Sequence, residues 1–145
     1  MDLTYEQIDV GMSRSFRRTI TDHEVDVFAK LSGDTSPLHT DNQYAAAEAG
    51  YRQRLVHGMH LASLVSCLVG IHLPGFRSVC LAQQFDFVNP VYADTEVEVY
   101  GEVASKHDST RTIVLRTRIT DANGQVCIKG KATVKVLDSE PPENA

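Results

Sequence analysis

No CxxC pair occurs in this sequence, and its three cysteines, Cys67, Cys80 and Cys127, lie far apart. That excludes a zinc ribbon and a dithiol redox motif. Each cysteine falls in an apolar or strand-like stretch, which predicts three small buried thiols. No run of basic residues is longer than Arg17–Arg18, and the formal net charge is −5. A nucleic-acid or anionic-membrane surface needs a basic patch, so neither is expected as a partner. A few local cations still suffice for a small phosphate-bearing ligand. Long apolar runs are missing too: the longest, Leu61 to Leu73, is interrupted by Ser63, Ser66 and His72 and is too short to span a bilayer. The first ten residues, MDLTYEQIDV, hold no basic segment followed by an apolar one. No secretory signal is read there, and a cytoplasmic location is expected.

What is present suits one globular domain. The 145 residues are 42% hydrophobic and 23% charged, enough for a single core and unlike a disordered chain. Residues 1–137 are read as that domain. The polar, proline-bearing tail 138–145, DSEPPENA, is expected to be disordered. A short first strand is predicted over Ser13 to Ile20. Thr21 then opens a capping box with Glu24, apolar residues follow at helical spacing, and Gly33 stops the helix. Asp41 is placed to cap a second short helix that ends before Gly50. From Met59 to Ile71 apolar side chains cover almost the whole circumference. That predicts a helix buried on all sides at the middle of the protein. Afterwards the period becomes two, with strands predicted over 78–91, 95–105, 110–120 and 125–137. The last puts Val126, Ile128, Ala132, Val134 and Val136 on one face and Lys129, Lys131 and Lys135 on the other. DANG at 121–124 supplies an Asn-Gly turn before it. The layout is α+β, an antiparallel sheet wrapped around a central buried helix. The lysines are assigned to solubility and edge protection, and the free sheet edges favour a homodimer.

GDTSPLHTD, residues 33–41, holds a carboxylate at Asp34 and an imidazole at His39 with Pro37 between them. A carboxylate and a histidine titrating near neutrality can together move protons at working pH. Pro37 drives Ser36 out of helical geometry, which predicts an extended or turned loop over 34–39. The plainer reading is that Asp34 closes an Asx turn and His39 starts the next helix. Gly58, in HGM at 57–59, stands where the apolar helix begins. Its amide has no partner within the helix and can hold a developing oxyanion, though a glycine there can also simply ease the chain into the helix. His57 and His60 share a helix face, but no carboxylate or cysteine stands at ligand spacing, so no metal site is expected.

Three blocks in this order, SGDTSPLHTD, LVHGMHLASLVS and QQFDFVNPVYADTEVEVYGEV, resemble the (R)-specific enoyl-CoA hydratases of the MaoC-like hot dog family. The first corresponds to that family's D-x-N-P-x-H motif. The resemblance implies a hot dog fold and reversible addition of water to a trans-2-enoyl-CoA, giving an (R)-3-hydroxyacyl-CoA. It implies that Asp34 and His39 jointly bind the catalytic water and that the Gly58 amide holds the thioester oxygen. It places Ser36, His57, Met59 and Ser66 about the substrate, with no cofactor, and puts the site near a dimer interface. Ser36 stands where the family usually has Asn, and His60 where an aliphatic residue is usual. Arg52 and Arg54 are either contacts to CoA phosphates or solvated loop charges. The alternatives are a hot dog acyl thioesterase and a non-catalytic acyl-thioester binding protein. Acyl length, branching, and CoA against acyl carrier protein are not readable from side-chain identities.

Overall fold

The computed structural model describes residues 2–137; the tail expectation over 138–145 lies outside them. Strand β1 (Ser13–Ile20) leads into helix α1 (Asp22–Ser32), followed by the short helices α2 (Pro37–Thr40) and α3 (Asn42–Ala47). Helix α4 (Gly58–Cys67) continues as a π-helical turn over Leu68–His72, and β2 (Ser78–Phe87), β3 (Thr95–His107), β4 (Thr112–Asp121) and β5 (Val126–Val136) follow. All five strands form one antiparallel sheet in the order β1-β3-β4-β5-β2.

The period of two explains the core. Val97, Val99 and Val103 of β3, Ile113, Leu115 and Ile119 of β4, and Ile128, Ala132, Val134 and Val136 of β5 are all buried. They meet Leu61, Ala62, Leu64 and Val65 of α4, with Leu68 and Val69 of the turn that follows. Burying such side chains contributes roughly 1.5–3 kcal/mol each, which makes this face the main source of stability. The sheet admits the helix closely because Gly101 stands under Leu68: a Cβ at 101 would lie 2.6 Å from Leu68 Cδ2. Gly101→Ala therefore forces the fully buried Leu68 side chain to shift within the core.

The expected boundaries of β1 and α1 match the structure, and the caps explain why. The Thr21 side chain accepts from Glu24 N (3.2 Å), Thr21 N donates to Glu24 Oε2 (2.8 Å), and Gly33 closes α1 in the left-handed region at φ 78°. Four expectations change. Residues 37–40 form one helical turn instead of a loop, because Pro37 at its first position needs no N–H partner. Helix α4 is not buried all round: Met59 is 60% exposed, and Ser63, Ser66 and Cys67 face outward with it. Cys67 is exposed for the same reason, Cys80 is exposed on the edge strand β2, and among the cysteines only Cys127 is buried. Finally, β5 lies inside the sheet between β4 and β2, so Lys129, Lys131 and Lys135 protect no edge.

Candidate active site

Helix α1 ends at Gly33 and delivers Asp34 to a turn beside the start of α4. There Asp34 Oδ1 accepts from Ser36 N at 3.1 Å. This is the Asx turn of the plainer reading, and among the described residues it leaves the second carboxylate oxygen without a hydrogen bond. Helix α2 presents His39, whose N–H donates to the Ser36 carbonyl (2.9 Å). The His39 ring is oriented by Nδ1, which lies 2.9 Å from the Leu55 carbonyl oxygen. A carbonyl only accepts, so Nδ1 carries the proton and Nε2 offers its lone pair to the cleft.

His57 joins the two residues. It is 2% exposed, its Nε2 donates to the Asp34 carbonyl oxygen at 2.9 Å, and its ring stacks on that of His39 with centroids 4.0 Å apart. Ligand atoms of Asp34, His39 and His57 all lie within 4.8 Å of one another. That spacing fits a single small guest, a water molecule or a metal ion alike. Gly58 begins α4, and its amide takes no hydrogen bond among the described residues. An unpaired N–H at a helix N-terminus suits a partial negative charge. A Cβ at 58 would meet the Phe87 ring at 2.8 Å, so the residue type here is set by contact.

These groups line one cleft of about 300 Å³, walled by Phe28, Ser32, Met59 and Phe87. The structure thus brings together Asp34, His39, His57, Gly58 and Met59. It does not bring in Ser36, whose side chain is exposed outside the cleft wall. Ser66 lies in a neighbouring groove of about 370 Å³ that shares Met59 with the cleft. Arg54 is not a phosphate contact. It is 7% exposed and clamps Asp22 (2.7 Å) and Asp26 (2.6 Å) of α1, holding Asp26 below the usual carboxylate range. It also reaches the His39 carbonyl at 3.4 Å, so it ties α1 to the turn bearing the histidine. Arg52 lies over the Tyr92 ring at 4.3 Å and remains exposed. The sequence does not single out Phe28, Ser32 and Phe87; Phe28 and Ser32 stand just before the Asp34 block, whereas Phe87 lies far downstream in the QQFDFVNP block and reaches the cleft only through the fold.

His60 does not pair with His57, because Phe28 packs against both, stacking on His60 at 4.7 Å and tilting against His57 at 4.9 Å. Burial pushes the His60 pKa down, helped by His57 and Arg18. The neighbouring groups are Glu24 and Arg18, which pair with each other at 2.6 Å. Since the unfolded chain binds this proton more readily, stability contributed at His60 is complete above the ordinary imidazole pKa and declines as pH falls below it. Thermal melts between pH 7 and pH 5 should show a smaller acid-side loss in His60→Leu than in the parent.

Residues 6–124 match the MaoC like domain. The chain belongs to that family. This MaoC-like chain is 37% identical over 134 residues to the (R)-specific enoyl-CoA hydratase of Aeromonas caviae, covering 92% of the chain and 99% of that relative. It is 32% identical over 138 residues to the 3-hydroxybutyryl-CoA dehydratase of Methylorubrum extorquens, covering 95% and 87%. The solved (R)-hydratase from A. caviae involved in PHA biosynthesis superposes with a TM-score of 0.87, over 90% of this chain and 98% of that one. The MaoC-like architecture is therefore a hot dog fold.

Proposed function

We propose that this chain is a hydro-lyase that adds water reversibly to trans-2-enoyl-CoA, giving (R)-3-hydroxyacyl-CoA. The observation that carries the reading is the placement of Asp34, His39 and the unpaired Gly58 amide around one cleft. A water molecule held between the free Asp34 oxygen and His39 Nε2 loses a proton to this pair as its oxygen bonds to Cβ. The thioester carbonyl draws the electron pair from the double bond, and Gly58 N–H stabilises the resulting enolate. The pair then returns this proton to Cα from the same side. The step consumes only water and thioester, so the reading calls for no cofactor and no metal. Met59 and Phe87 supply apolar walls for the acyl chain, and the groove carrying Ser66 extends them.

The working form under this reading is a homodimer. Strand β2 pairs only with β5 and is an edge, yet Val79 (47%), Leu81 (58%) and Phe87 (55%) are exposed along it. An edge strand that exposes these apolar side chains beside the exposed face of α4 calls for a second copy. Phe87 and Met59 lie on both this face and the cleft, so dimerisation also shelters the site. Leu81→Lys should convert a dimer into a monomer in sedimentation and lower activity with it. The exposed free thiols of Cys67 and Cys80 suit a reducing compartment such as the cytoplasm.

Crotonyl-CoA offered after exhaustive chelation tests the reading. Loss of the conjugated enoyl absorbance without thiol release, and with (R) product, supports it. Thiol release would instead indicate a thioesterase, and saturable binding without turnover a binding protein.

A further inference from the structure

A groove of about 620 Å³ lies away from the catalytic cleft, on the opposite face of the sheet. The alternation that buries Leu115 and Ile119 of β4 and Ile128 and Ala132 of β5 turns Arg116, Arg118, Lys129 and Lys131 outward. Register then sets cation against cation, with Arg116 opposite Lys131 and Arg118 opposite Lys129. Cross-strand partners lie about 5 Å apart at Cα, and alternate residues of a strand about 7 Å apart. Four cationic side chains thus stand on a rectangle of that size. Like charges placed opposite each other destabilise a sheet, and this chain has a formal net charge of −5, so general basicity does not account for the cluster.

Partners inside the groove are few. Arg116 reaches Glu102 at 3.5 Å, and Arg118 lies over the Tyr100 ring at 4.5 Å. Arg118, Lys129 and Lys131 have no carboxylate within ion-pair distance among the described residues. Glu102 opposite Arg116 on one side, and Asp86 opposite Lys129 on the other, close the rectangle with negative walls. From β3 to β2 those walls stand about 14 Å apart.

From this lattice we infer that the outer groove is a binding site for a diphosphate group. Two linked phosphates concentrate negative charge within a few ångströms, so they meet the four cations while clearing Glu102 and Asp86. A broad acidic protein surface would lay its outer charges on those walls. A second copy of this chain placed face to face across a two-fold would set cation upon cation. The side chain of Gln84, opposite Lys131, adds an amide donor at the rim. A diphosphate can come as inorganic pyrophosphate or within a nucleotide, and the chemistry recognised is the same.

Calorimetric titration of the full chain at fixed ionic strength tests this. Pyrophosphate should bind once per chain, at least tenfold tighter than orthophosphate. The double variant Arg116→Gln/Lys129→Gln should weaken it at least tenfold, and Arg17→Gln, at a β1 cation paired with Glu96 of β3, should leave it unchanged. Lys129→Gln alone, which removes no ion pair, should cost about two- to fivefold and serves if the double variant folds poorly. ADP binding that is lost in the same variants adds nucleotides to the accepted sources; pyrophosphate binding without ADP binding restricts the site to the free ion. Absence of saturable pyrophosphate binding, equal affinity for orthophosphate, or unchanged affinity in the variants overturns the inference. Hydration of crotonyl-CoA should be unaffected by these substitutions, so the two sites fail or stand separately.

Discussion

Asp34→Asn is expected to lower crotonyl-CoA hydration by about 10²–10⁴-fold, the usual contribution of a positioned acid or base, while leaving the fold unchanged. The structure explains why the substitution is clean. The Asn side-chain carbonyl can still accept from Ser36 N, as Asp34 Oδ1 does now at 3.1 Å, so the turn survives and only the charge and proton affinity go. His39→Asn is the matching probe. Its side-chain amide can take over the bond that Nδ1 makes to the Leu55 carbonyl, but nothing replaces the Nε2 lone pair. Both variants should keep the parent's circular dichroism and melting temperature within a few degrees. Near-parental rates in both would remove the acid/base assignment.

The second large effect is at Gly58, where donor and space can be separated. Gly58→Pro deletes the N–H at a helical first position that tolerates proline, and should cost about 10²–10³-fold in kcat, as for other oxyanion donors. Gly58→Ala keeps the donor but sets a methyl group 2.8 Å from Phe87 Cε1. Phe87 is half exposed, so its ring can yield by swinging into the cleft, and the loss should be smaller and shared with KM. Adding Phe87→Ala should recover much of the activity of Gly58→Ala but only the packing share of the loss in Gly58→Pro, whose Cβ meets the same ring and whose missing N–H no second change restores. Equal rescue of both would show that the amide contributes through packing alone.

Strand and helix patterns were legible where local chemistry dominates. The Thr21–Glu24 box and Gly33 set both ends of α1, and the alternation in β5 separates lysines from core residues. What the pattern could not carry was neighbourhood. Periodicity shows that Lys129 and Lys131 face solvent but not that β5 is central, because strand order depends on pairings far apart in the chain. A greasy helix reads the same whether or not its outer face is covered by the sheet, so the pattern predicts burial on all sides where Met59, Ser63 and Ser66 are exposed. Within the site, Asp34, His39 and Gly58 were readable as residue types in motifs. The His57 contacts that join them, a hydrogen bond to the Asp34 carbonyl and a stack on His39, arise only once α4 packs beside the end of α1. Arg54 misled for the same reason: its partners Asp22 and Asp26 are distant in sequence.

That a carboxylate and an imidazole from separate turns serve one solvent molecule is best tested by combining Asp34→Asn with His39→Asn and measuring kcat for crotonyl-CoA. Residues acting as a unit are non-additive, so the pair should cost little more than the worse single change. Losses that multiply, each variant subtracting its full share independently, would mean the two groups work at different places.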